Sequence, residues 1–138
     1  MKSKGFLALT AVAIVIIAIL VNPFATKKVK VEQVTLEQVE DIGLRNLIGM
    51  LTEPNVYFFE TDSSVILYST MGKSGLYTYP TADIKLKGKR LVVDITSNQK
   101  TALTKEGLLV KMDLKSLPED ISVRFLGGNV PNYQVFKP

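Results

Sequence analysis

The 138-residue sequence contains no cysteine and no histidine. Those two absences exclude disulfides, thiolate nucleophiles, the Ser-His and Cys-His relays and nearly every structural zinc site. No cofactor is expected. Acidic residues are the scarcer charge: 17 Lys+Arg stand against 13 Asp+Glu, for a net charge of +4. Two of the basic residues, Lys2 and Lys4, precede an apolar segment, leaving 15 basic against 13 acidic groups from residue 26 onward. An excess that small and scattered does not suit a nucleic-acid-binding protein. The length allows one ordinary domain and no second core.

The most informative stretch is apolar. From Gly5 to Val21 the chain reads GFLALTAVAIVIIAILV, with Thr10 its only polar side chain. At 1.5 Å per residue, a helix extended through Ala25 would cross a hydrocarbon layer of roughly 30 Å. A domain of this size could not bury a helix that is apolar all round. Residues 1–25 are therefore expected to be a transmembrane segment, with Phe6, Leu7, Ile14, Val15, Ile16, Ile17, Ile19 and Leu20 among its membrane-spanning residues. The run exceeds the usual core of a cleaved signal, and a cut after Ala25 would put Pro23 at −3, where a small residue is wanted. An uncleaved, single-pass signal anchor is the favoured reading, and a secreted domain freed by signal cleavage is its alternative. The flanking charges nearly balance, with Lys2 and Lys4 on one side and Lys27, Lys28 and Lys30 on the other. The short leading tail favours a C-terminal domain outside the cytoplasm.

The first twenty residues also resemble a type IV prepilin N-terminus. A short basic leader, MKSKG, ends at Gly5, and Phe6 would be the new first residue. The resemblance implies an apolar helix packed in a filament core and a globular head with an antiparallel sheet. The family's Glu at the fifth mature position is Thr10 here.

Residues 26–33, TKKVKVEQ, read as a polar juxtamembrane linker, and residues 34–138 as a helix plus an antiparallel β domain. Thr35 and Gln38 match a capping box. Leu36, Val39, Leu44, Leu47, Ile48, Met50 and Leu51 follow at helical spacing, with Gly43 a weak point in the helix and Pro54 its stop. Beyond Pro54 the period falls to two. Val56–Glu60 and Ser64–Thr70 flank a Thr61-Asp62-Ser63 turn, Pro80 either ends Leu76–Tyr79 or marks it as an edge, and Asp83–Lys87 turns at Gly88-Lys89 into Leu91–Thr96. Leu108–Leu114, Ile121–Phe125 and Tyr133–Phe136 complete the set. The expectation is a mainly β (α+β) fold, with one amphipathic helix packed on a small antiparallel sheet or sandwich.

Catalytic patterns are thin. Gly72-Lys73-Ser74 lacks the preceding glycine and the following helix of a phosphate-binding loop. Ser97-x-x-Lys100 has the spacing of a lysine-activated serine but none of the companion motifs. The carboxylates Glu37, Glu40, Asp41, Glu60, Asp62, Glu119 and Asp120 sit in exposed helix or turn contexts. A non-catalytic role is expected.

Two surfaces are candidates for binding. Lys85, Lys87, Lys89 and Arg90 gather around a hairpin tip and suit an anionic partner such as a lipid headgroup or an envelope polymer. The simpler reading is a lysine-rich edge that discourages aggregation. Tyr57, Tyr68, Tyr77 and Tyr79, with Phe59, concentrate in 23 residues and would form an aromatic binding platform if exposed together. Alternation requires part of that set to be core. The order of SGLYTY, IKLKGKRLVVDI and LPEDISVRF across residues 56–126 is similar to small secreted bacterial domains of the protease-inhibitor or protease-complex-stabilising kind. Their Thr-Gly-Gly-Tyr element is Ser74-Gly75-Leu76-Tyr77 here. That resemblance implies a protein-binding role and no site residues. The expectation is a membrane-anchored binding domain outside the cytoplasm, engaging a protein or envelope component, with a pilin-like subunit as the competing class.

Overall fold

A computed structural model describes residues 25–70, 78–99 and 107–138. The expected membrane segment, the Met71–Gly75 turn with Tyr77, and Lys100 lie outside the described residues.

Among the described residues, ten strands form two five-stranded sheets. The first sheet runs β1 (Thr26–Lys28), β5 (Thr78–Lys87), β6 (Arg90–Gln99), β8 (Asp120–Phe125), β9 (Gly128–Asn129). The second runs β10 (Gln134–Phe136), β3 (Val56–Glu60), β4 (Val65–Ser69), β7 (Leu108–Met112), β2 (Val31–Gln33). Both are mixed, which corrects the antiparallel expectation: β8 lies parallel to β6, and β10 parallel to β3. Alternation reports which face a residue occupies and is silent on strand direction.

The inner faces of the two sheets share one core. Phe58, Leu67, Val110 and Met112 from the second sheet meet Ile84, Leu91, Val93, Ile95 and Val123 from the first. The second sheet is also covered outside, by a turn of 3-10 helix at Leu36–Gln38 and by helix α1 (Ile42–Met50). There Val39, Ile48, Leu44, Leu47 and Leu51 pack on Tyr57, Phe59, Ile66 and Leu109. Burial on both faces explains why β3 and β4 read as apolar runs where a half-exposed strand would alternate.

The expected single helix is broken. Thr35 does use Gln38, whose side-chain oxygen accepts the Thr35 N–H at 2.8 Å, but only a 3-10 turn follows. Asp41 then caps α1, accepting the Leu44 N–H at 3.0 Å. The carbonyls stranded at the break are taken by Arg45, which donates to Val39 O at 2.6 and 3.0 Å and to Glu37 O at 3.2 Å. Gly43 consequently lies in the first turn of α1, beside the Asp41 cap.

Residues 26–33 are not a free linker. β1 edges one sheet and β2 the other, and Val29 between them is 4% exposed within the shared core. Strand β5 passes through Pro80 without ending, because β1 covers β5 only at Lys85–Lys87 and the missing N–H falls where β5 is an edge.

Two predictions follow from packing and backbone strain. Val29→Ala removes two buried methyl groups and should lower unfolding free energy by about 1–3 kcal/mol. An unchanged urea midpoint would mean that this stretch is a free linker after all. At the β8–β9 turn, Leu126 (φ 50°) and Gly127 (φ 81°) both adopt positive φ, the signature of a type I′ turn, and Leu126 is 61% exposed. Asparagine tolerates that conformation far better than leucine, so Leu126→Asn should raise stability by about 0.5–1 kcal/mol in the same denaturation assay.

Candidate functional site

The hairpin joining β5 to β6 turns at Gly88, whose φ of 60° suits a residue without Cβ. Direct cross-strand partners share a face, so the register places Lys87 with Arg90, Lys85 with Lys28, and Thr26 with Lys87 on the outer side of the first sheet. All four residues of the expected basic group are thus brought together at one end of that sheet. The structure adds Lys28 to that face, and places Lys27, paired with Leu86, on the other side of the same edge strand, exposed at the same end of the sheet. The signal was present as a charge run, but only β pairing over some sixty positions reveals whom it joins.

Charge within this group is unevenly compensated. Lys85 lies 3.2 Å from Asp83, and Arg90 Nε lies 2.8 Å from Asp120 Oδ2, both in exposed pairs. Lys27, Lys28, Lys87 and Lys89 have no carboxylate partner among the described residues. Further along the same face, Arg124 pairs with Asp94, donating from Nη2 to Oδ2 at 2.9 Å, while its Nε lies 2.7 Å from Oδ1 without forming a hydrogen bond. The face is therefore charge-balanced toward Arg124 and basic toward the hairpin tip.

A second feature lies on the opposite side of the molecule. A groove of about 510 Å³ opens between α1, the β3–β4 hairpin and the C-terminal strand. Leu44, Leu47, Phe59, Ile66 and Phe136 form its apolar floor. Glu40, Asp41, Glu60 and Asp62 line it together with Lys111 and Lys137. Two of those carboxylates are already engaged, Asp41 as the α1 cap and Glu60 as acceptor of the Leu117 N–H at 2.8 Å. Glu40 and Asp62 are left exposed at the rim.

Two of the four tyrosines expected in an aromatic platform, Tyr57 and Tyr68, are packed inward instead of lying exposed together. Tyr57 is 2% exposed, its ring stacked on Tyr68 and its hydroxyl donating to Glu53 O at 2.9 Å. Tyr68 is half-buried in the same cluster, and Phe59 stacks on Phe136 with centroids 5.0 Å apart. Tyr79 lies on β5, in the other sheet. The aromatics of β3 are there to fill the layer beneath α1. Ser97 falls within β6. Among the described residues no three His, Cys, Asp or Glu side chains gather as a metal would require. Nor, among them, is any helix long and apolar enough to cross a membrane.

No family model, curated protein or solved structure matches this chain.

Burial raises the Tyr57 phenol above its usual pKa, and the neighbouring Glu53 charge adds to the shift. A phenol kept neutral in the fold but free to ionise in the unfolded chain contributes stability that is present below its unfolded pKa and lost as pH climbs past it. Unfolding free energy should therefore fall between about pH 9 and about pH 11, and fall less in Tyr57→Phe. Parallel declines in the two proteins would show that Tyr57 ionises normally.

Proposed function

We propose that this protein is a membrane-anchored binding domain, held outside the cytoplasm by its N-terminal apolar segment and without catalysis of its own. Its partner is a polypeptide segment both apolar and basic, received in the groove between α1 and the β3–β4 hairpin. The groove carries this reading. Its floor supplies the apolar area that gives affinity, and the exposed Glu40 and Asp62 at its rim select positive charge. The anchor is supported by the apolar run from Gly5 to Val21, in which only Thr10 is polar.

The anchor is tested by the intact mass of the protein from its native membrane fraction. A full-length mass supports it, loss of Met1–Gly5 would favour the pilin-like alternative, and loss of about 25 residues would make the domain a secreted binder. The groove is tested with the full-length chain in nanodiscs, using two helical probe peptides, one of leucine and lysine and one of leucine and glutamate. Methyl resonances of Leu44, Leu47 and Ile66 should shift with the lysine peptide only. The double variant Glu40→Lys/Asp62→Lys should weaken that binding by about tenfold, allowing for solvent screening of both exposed charges. Equal response to the two peptides, or none to either, would overturn the groove as the binding site.

A further inference from the structure

We propose that the basic end of the first sheet rests on anionic lipid headgroups, so that the domain lies against the bilayer with its groove turned outward. This rests on the anchored reading above and adds an orientation and a lipid class to it.

Five Cα steps separate Val21, the end of the apolar run, from Thr26, the first residue of β1, which is at most about 18 Å of chain. β1 is not free to swing from that point. Its residues pair with β5 from Thr26–Lys87 to Lys28–Lys85, and the Gly88 N–H donates to Ala25 O at 3.1 Å. The turn of the β5–β6 hairpin is thereby fastened beside the place where the chain would leave the membrane. Whatever surface the apolar segment enters, Lys87 and Lys89 are held close to it.

The charges at that place suit an anionic surface. Lys27, Lys28, Lys87 and Lys89 are exposed and carry no carboxylate partner among the described residues. A discouraged sheet edge explains lysines on β1, but not the two at the hairpin turn, where no edge needs protection. A polyanionic polymer would meet the same charges. The short tether favours lipid, because it holds these side chains at the headgroup layer, where surface potential acts within a Debye length. The groove lies on the outer face of the second sheet, which is the opposite face of the sandwich, and stays open for a partner.

The test uses the full-length chain reconstituted into vesicles of phosphatidylcholine alone or enriched in phosphatidylglycerol. Acetylation of each lysine by an amine-reactive reagent is followed by peptide mass spectrometry. At low salt, Lys27, Lys28, Lys87 and Lys89 should react several-fold more slowly in the anionic vesicles, while Lys111 and Lys137 react alike in both. High salt should erase the difference. In Lys87→Glu/Lys89→Glu, two exposed turn substitutions that spare the core, protection of Lys27 and Lys28 should fall. Uniform lysine reactivity in the two lipids, in chain that floats with the vesicles, overturns this orientation and leaves the anchor standing. Failure to float with either vesicle overturns the anchor and this inference with it. Equal protection by soluble dextran sulfate in phosphatidylcholine vesicles would transfer the surface from lipid to a polymer.

Discussion

The stretch from Thr26 to Gln33 passes from the edge of one sheet to the edge of the other, and the crossing is made by a single buried valine. Val29 lies between the two sheets, and on either side of it three residues complete an edge strand. Its carbonyl neighbours are used as well: Val29 N–H donates to Ile84 O, and Lys30 O accepts from Asp113 N–H, both at 2.9 Å. This clasp joins the sheets at the end where the chain enters the domain. It also decides which charges become neighbours, since Lys27 and Lys28 reach the β5–β6 hairpin only because β1 is paired there. A flexible tether in the same place would have dispersed the basic group and left the domain free to take any orientation.

The second sheet carries the other half of the design. It is covered on the inside by the first sheet and on the outside by α1, so β3 and β4 bury residues of both parities. Aromatic side chains suit such a middle layer because they fill wide gaps at low conformational cost. The outer layer is only nine residues of α-helix preceded by a 3-10 turn, too short to cover a five-stranded sheet. The uncovered corner beside the β3–β4 hairpin is the groove. Site and fold therefore have one cause: an outer layer shorter than the sheet it protects.

Much of this was legible in the sequence, and the losses have identifiable physics. Period-two alternation located β6, β7 and β8, and short apolar, β-rich runs located β3 and β4, with the turns at Thr61–Ser63 and Gly88-Lys89 between them, because a buried inner face and turns with specific backbone demands leave those marks. Parallel pairing of β8 with β6 and β10 with β3 was not legible, since strand direction leaves no mark on hydrophobic order. The helix break was missed because Val39 is apolar and in phase on either side of it. Its real marker was Asp41, a capping residue type whose carboxylate takes the Leu44 N–H, with Arg45 placed to take the stranded carbonyls. The basic hairpin was visible as a run of charge, whereas the lysines of β1 were read as the polar flank of a membrane segment. The tyrosines misled for a related reason: a cluster along the chain signals shared burial as readily as shared exposure.

The two candidate surfaces differ in what positions them, and that difference bears on how each would act. The basic end is set by backbone pairing and needs no particular rotamer, so it suits a partner recognised by charge density alone, as a lipid surface is. The groove is set by side-chain packing between α1 and the β3–β4 hairpin, and its shape depends on Arg45 holding the break before the helix. A site built in that way discriminates by shape and suits a polypeptide. Because the two lie on opposite faces of the sandwich, occupation of one does not obstruct the other. Under the anchored reading, a membrane on the basic side would leave the groove facing the space from which a partner arrives, and the first sheet between them would transmit no more than a fixed orientation.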